Sequence, residues 1–155
     1  MMTRVCKVCG EEKPISEFHR NGLDKFGNVA YRNDCKVCYR IVRKVSKKKL
    51  TKFLNNTKQR TGEIAQLTVH DWKDAMVYFK GCCAYCGRLQ SRRNKLTKDH
   101  VVPVSKGGLT VRHNIIPGCV SCNSSKSDND LDEWYPKQSF YSDERMKRIR
   151  AWMVM

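Results

Sequence analysis

No apolar run in the 155-residue chain approaches the roughly 18 residues that a membrane-spanning helix requires. The opening, MMTRVCKVCGEEKP, lacks the apolar stretch of a secretory leader. Acid is scarce: 15 Asp and Glu stand against 31 Lys and Arg, a formal net charge of +16. No segment is low-complexity, and the only repeated unit is a pair of cysteines two residues apart. These absences point away from a membrane-bound or secreted protein and lead us to expect a cytoplasmic one. The surplus of base favours a polyanionic partner, with nucleic acid foremost. A hydrophobic content of 40% supports a modest core, so the length suggests one domain, or one domain with a small appendage.

What the chain has in excess is cysteine, nine in all. In a reducing compartment, disulfides are a poor explanation for them. Eight fall into four CxxC pairs: Cys6/Cys9, Cys35/Cys38, Cys83/Cys86 and Cys119/Cys122. Two such pairs can close a tetrahedral thiolate site, so the spacing predicts two structural Zn2+ ions. Two four-thiolate sites would lower the working charge to about +12, still strongly basic. Cys82 is left over. It could replace Cys83 with a three-residue gap to Cys86, but the other pairs all have two-residue gaps, so Cys83 is preferred and Cys82 is expected to be buried.

Three regions are predicted. Residues 1–42 form a zinc-binding module with too little apolar mass to fold without metal, with Phe18, Phe26 and Tyr31 packed around it. Residues 43–66 form a basic helical linker. From Lys36 to Gly62 there are ten Lys and Arg and no acid, and Ile41, Val45, Leu50, Phe53 and Leu54 give an imperfect apolar stripe. Lys47, Lys48 and Lys49 are its candidate phosphate contacts. Residues 67–155 form the larger domain. There Thr68 and Asp71 read as a capping box, and Val69, Trp72, Met76 and Phe79 share one helix face ended by Gly81. His70 on that helix reads as structural rather than as a ligand. A last helix opens at Ser142, Asp143 and Glu144 and carries Met146, Ile149, Trp152 and Met153 as an apolar stripe.

The chemistry lies between the last two cysteine pairs. Cys86 and Cys119 are separated by 32 residues, too many for a minimal zinc ribbon. TKDHVVPV and HNIIPG read as two strands joined around Gly107-Gly108, and CVSCNSSKSDND reads as a helix starting at the second pair. This arrangement lets Asp99, His100, Asn114 and Asn123 converge. Phosphodiester hydrolysis needs a water nucleophile, a base and positive charge near the leaving oxygen. A neutral histidine, with a reference pKa of about 6.5, suits the base. Asp and Asn oxygens suit Mg2+ or Mn2+. The absence of a histidine at position 123 argues against a catalytic zinc or nickel ion.

The stretch DHVVPVSKGG…HNIIPGCVSCNSSK strongly resembles the HNH endonuclease signature, over roughly residues 83 to 130. The NSSKSDN stretch also looks like the matching helix in HNH domains of RNA-guided CRISPR nucleases. The resemblance implies a small α+β protein built on the ββα-metal module. It implies His100 as general base, Asp99 and Asn123 as ligands of a catalytic Mg2+ or Mn2+, and Asn114 as the residue that holds the loop and orients His100. The triplet here is His-Asn-Asn, a common variant. Lys126, in the helix that follows, is a candidate DNA contact. Residues 4–40 resemble, more weakly, a zinc module of small phage-encoded HNH proteins. The implied activity is hydrolysis of double-stranded DNA by a phage-encoded enzyme in the host cytoplasm, nicking by default in a monomer, with phage packaging proteins as candidate partners. The rival readings are a non-catalytic zinc protein that binds DNA and a nuclease directed at RNA.

Overall fold

The structure is a computed structural model that describes residues 2–45, 47–62 and 65–155. It divides into two units, residues 1–44 and 45–155.

The first unit consists of two hairpins and a helix. Strand β1 (Thr3–Val5) pairs antiparallel with β2 (Glu12–Pro14), and β3 (Phe18–Leu23) pairs antiparallel with β4 (Val29–Cys35). Helix α1 (Lys36–Lys44) follows directly. Strand alternation here buries little: only Phe18 and Cys35 of β3 and β4 are fully enclosed. The core is therefore the cysteine cluster with Phe18 and Ile41 around it, which fits a module that relies on metal. Phe26 does not join this core. It is 76% exposed at the β3–β4 turn, where the Asp24 carboxylate accepts from the backbone N–H groups of Phe26 and Asn28 and fixes the turn locally.

The basic stretch forms two helices rather than one, α1 and α2 (Lys47–Thr61). Their apolar anchors serve different units: Ile41 is buried in the first and Leu50 in the second. Ser46 lies outside the described residues.

In the second unit, α3 (Val69–Tyr78) begins with the expected reciprocal cap between Thr68 and Asp71. It buries Trp72, Ala75 and Met76, with Phe79 just beyond its end. His70 lies on the exposed side, 3.1 Å from Asp74. Strand β5 (Leu96–His100) pairs antiparallel with β6 (Ile115–Cys119), placing Asp99 opposite Ile116 and His100 opposite Ile115. The strand stops at His100; the residues after it turn away, with 3-10 turns at Val104–Lys106 and Arg112–Asn114 before β6. Helix α4 (Val120–Lys126) completes a strand–strand–helix module.

Helices α5 (Leu131–Trp134) and α6 (Asp143–Met153) close the core. Met146, Ile149 and Trp152 of α6 are buried. The Trp152 indole donates to the carbonyl of Ile115, tying α6 to β6. The Tyr135 hydroxyl and the Arg145 guanidinium both donate to the Tyr85 carbonyl at 2.7 Å. Burial of each large side chain contributes about 1.5–3 kcal/mol, so this apolar wall is what holds the β5–β6 hairpin rigid.

Candidate active site

The site begins with cysteine geometry. In each unit four sulfurs lie within 4.8 Å of one another: Cys6, Cys9, Cys35 and Cys38 in the first, Cys83, Cys86, Cys119 and Cys122 in the second. Each set could hold one ion. Backbone amides point at the sulfurs, Cys35 N–H at Cys6, Cys119 N–H at Cys83 and Cys122 N–H at Cys119. Such contacts favour thiolates. Burial pushes the Cys6 thiol up, but the amides of Cys35, Cys9 and Val8 outweigh it and bring it down to about 6. Cys82 belongs to neither set and is half-buried, its sulfur 3.7 Å from the Lys80 carbonyl.

Cys119 has a second role. It ends β6 and caps α4, its sulfur accepting from Cys122 N–H. The cluster therefore fixes where α4 starts, and hence where Asn123 stands. Gly118 lets the helix come close to the strand: a Cβ there would lie 3.4 Å from that of Asp99 and 3.6 Å from that of Asn123.

Asp99, His100 and Asn123 line one cavity of about 460 Å³. Asp99 is 5% exposed and accepts from the Tyr85 hydroxyl at 2.6 Å. Burial pushes its carboxyl above the usual range, opposed by the nearby Lys126 charge and the Tyr85 hydroxyl. The Asn123 amide nitrogen donates to Thr97 Oγ1 at 2.9 Å, which leaves the carbonyl end for the cavity. His100 Nε2 lies 2.9 Å from the hydroxyl of the fully buried Thr110. The Phe53 ring sits 5.9 Å from the His100 ring, tilted by 31°.

Asn114 is placed behind the cavity, not on its wall. Its amide nitrogen donates to the carbonyls of Val102 and Leu109, and its oxygen accepts from Val102 N–H. It clamps the loop after β5, while the contact to the His100 ring is made by Thr110. The same loop needs Gly108, where a Cβ would fall 1.8 Å from the Val102 carbonyl oxygen.

Lys126 is not the surface contact expected from its place in the sequence. It is fully buried, and its Nζ donates to the His100 backbone carbonyl at 2.8 Å. Burial draws its pKa down, and the Asp99 charge opposes that. Lys47, Lys48 and Lys49 are exposed on α2, and the first two line a polar groove on that helix. Lys98 is held over the Trp72 and Phe53 rings at 4.6 and 5.4 Å, and burial with the Lys49 charge brings it down to about 8.

Residues that sequence reasoning missed are Tyr85, Thr110 and the α2 wall formed by Phe53, Thr57, Arg60 and Thr61. Only Tyr85 carried a signal, as the large residue inside the third CxxC pair.

Comparison with known proteins addresses the same segment. Residues 83–129 match the family described as HNH endonuclease. An SPbeta prophage-derived protein of Bacillus subtilis (strain 168), YoqL, whose name places it among HNH endonucleases, is 33% identical over 95 residues, covering 56% of this chain and 41% of that one. The CRISPR-associated endonuclease Cas9 of Corynebacterium diphtheriae is 31% identical over 88 residues, covering 54% of this chain and 8% of that one. The chain thus spans less than half the length of either relative. Among solved structures, the Type II-C Cas9 from Actinomyces naeslundii aligns at 22% identity and a TM-score of 0.43 over 73% of this chain and 14% of that one. The ββα-Me restriction endonuclease Hpy99I aligns at 18% identity and a TM-score of 0.26 over 98% and 65%. The segment that matches the HNH endonuclease family is built here as two strands and a helix, with the Cys83, Cys86, Cys119 and Cys122 sulfurs clustered within it.

Proposed function

We propose that this chain is a metal-dependent endonuclease that hydrolyses phosphodiester bonds of double-stranded DNA, with both cysteine clusters holding structural zinc. The observation that carries the reading is the convergence of Asp99, His100 and Asn123 on one cavity inside the HNH domain. Their donor set fits a hard divalent cation: a buried carboxylate and an amide oxygen, with no thiolate or second imidazole among the described residues of the cavity wall. Asp99 and Asn123 would hold Mg2+ or Mn2+, which supplies charge for the scissile phosphate and the leaving oxygen when bound.

The chain's own residues do the rest. His100, neutral, removes a proton from the attacking water as its oxygen bonds to phosphorus and the bond to the leaving strand breaks. Thr110 Oγ1, 2.9 Å from Nε2, orients the ring for that step. The departing oxygen takes a proton from solvent. Tyr85 keeps the Asp99 carboxylate in one orientation. Lys126 pins the end of β5 through the His100 carbonyl. One such site per chain makes a nick the default product of a monomer. The likeness to a prophage-derived HNH protein supports a phage origin, with the host cytoplasm as setting and packaging proteins as candidate partners.

Plasmid cleavage with Mg2+ or Mn2+, against an EDTA control, tests the reading. His100→Ala should lose about 10²–10⁴ in rate while keeping its zinc and its fold. Near-normal cleavage by this variant would remove His100 from the mechanism. Cleavage of RNA alone would move the substrate class.

A further inference from the structure

We infer that Arg60, which lies outside the HNH domain in sequence, is a catalytic residue that contacts the scissile phosphate. The inference rests on the nuclease reading above and adds a residue to it.

Helix α2 forms one wall of the catalytic cavity. Phe53, Thr57, Arg60 and Thr61 line it, facing Asp99, His100 and Asn123. Thr57 follows Phe53 by four residues, and Arg60 and Thr61 follow Thr57 by three and four, which puts them on one side of the helix. That face is fixed. Thr57 is 8% exposed, and the Phe53 ring packs beside the His100 ring. A different side of the helix, with Lys47, Lys48, Lys52 and Asn55, lines a separate groove. Arg60 is therefore the α2 cation among the described residues that line the cavity.

Charge at the cavity supports the assignment. Among the described residues its acids are Asp99 and Asp128, and its cations other than the histidine are Lys98 and Arg60. Lys98 is engaged over two aromatic rings. Arg60 is exposed and, among the described residues, makes no ion pair and no side-chain hydrogen bond. Arg145 is engaged by backbone carbonyls, Arg150 by Asp132 and Arg148 by Glu144, and Arg88, Arg92 and Arg93 are not among the residues that line the cavity. An uncommitted guanidinium on the wall of a hydrolytic cavity matches a phosphate, whose oxygens it meets with a planar pair of N–H donors. During hydrolysis negative charge builds on those oxygens and on the leaving oxygen, so a donor already in place favours the transition state over the ground state.

The test uses the full chain with Arg60→Gln and Arg60→Lys, beside wild type and His100→Ala. In EDTA, DNA affinity followed by anisotropy against salt should show a slope shallower by about 0.9 for Arg60→Gln, one phosphate contact fewer. With Mg2+ and saturating enzyme, single-turnover cleavage of a DNA duplex should fall about 10²–10³-fold. Arg60→Lys should recover part of the rate, because it keeps the charge and loses the fork. Melting temperature and zinc content should match wild type. A single-turnover rate within about twofold of wild type, with or without a change in slope, overturns the inference, since the contact would then be to a phosphate that does not react. So does an unchanged salt slope. Failure of the nuclease reading looks different: wild type itself would not cut, or His100→Ala would cut as well as wild type.

Discussion

Lys126 donates its ammonium to the backbone carbonyl of His100, 2.8 Å away, from a side chain with no exposed surface. A buried lysine is uncommon and needs its partners. Here they are that carbonyl and the charge of Asp99. Lys126→Met keeps the length and apolar stem but removes the ammonium donor from the His100 carbonyl. We expect a loss of about 1–3 kcal/mol in unfolding free energy by denaturant titration. DNA binding should keep its salt slope. A slope shallower by about one unit would instead place this ammonium on a phosphate.

Thr110 is the second support of His100. It is fully buried, with its hydroxyl on Nε2. Thr110→Ser keeps the hydroxyl and should cleave nearly as well as wild type. Thr110→Val keeps the shape and removes the hydroxyl, so it should lose about tenfold or more in rate, part of what general-base catalysis contributes. Melting temperature separates orientation from packing: the valine variant should lose rate while melting close to wild type. Equal rates for both variants would leave Thr110 without a role in the chemistry.

How much of this was legible beforehand differs by residue. The strand–strand–helix module could be read because thiolate spacing is a hard geometric constraint, and Cys119 and Cys122 then fix where α4 begins. Asp99 beside His100 could be read because the pair stands between two CxxC pairs in a stretch that resembles the HNH signature. Thr110 and Arg60 could not. They are common residue types brought in from a loop and a remote helix, and only tertiary contacts single them out. Lys126 was misplaced because an isolated lysine in a basic chain reads as surface, and nothing in its spacing shows that a carbonyl waits beneath the helix. The first unit's hairpins were missed because they are short and bury almost nothing on either face.

The metal content follows from the two clusters. Purified without chelators, the chain should carry about two zinc ions, since closed four-thiolate sites hold their ions tightly. Cys119→Ser should do more harm than Cys9→Ser. It removes a ligand and the cap of the helix that carries Asn123, so cleavage and the melting of the larger unit should both suffer. Cys9→Ser should lower zinc to about one ion per chain. Elemental analysis showing no zinc in the wild-type chain would count against both sites.

The basic face of α2 supplies the last prediction. Lys47, Lys48 and Lys49 are exposed, and Lys47, Lys48 and Lys52 share that helix with no acid. If these side chains track a DNA backbone, each neutralised phosphate releases condensed counterions, and log affinity falls linearly with log salt. Changing Lys47, Lys48 and Lys49 together to Gln should then make the slope shallower by up to about 2–3 units. The loss of affinity should be the same on unrelated sequences, because phosphates carry no base information. Once DNA is bound at saturation, single-turnover cleavage should stay close to wild type, since the substituted lysines lie outside the residues lining the catalytic cavity. That separates them from Arg60, whose loss is expected in the rate itself. An unchanged salt slope in the triple variant would make these α2 lysines solvated and leave the phosphate contacts to the Lys and Arg between Arg88 and Lys98 or to the N-terminal cysteine module.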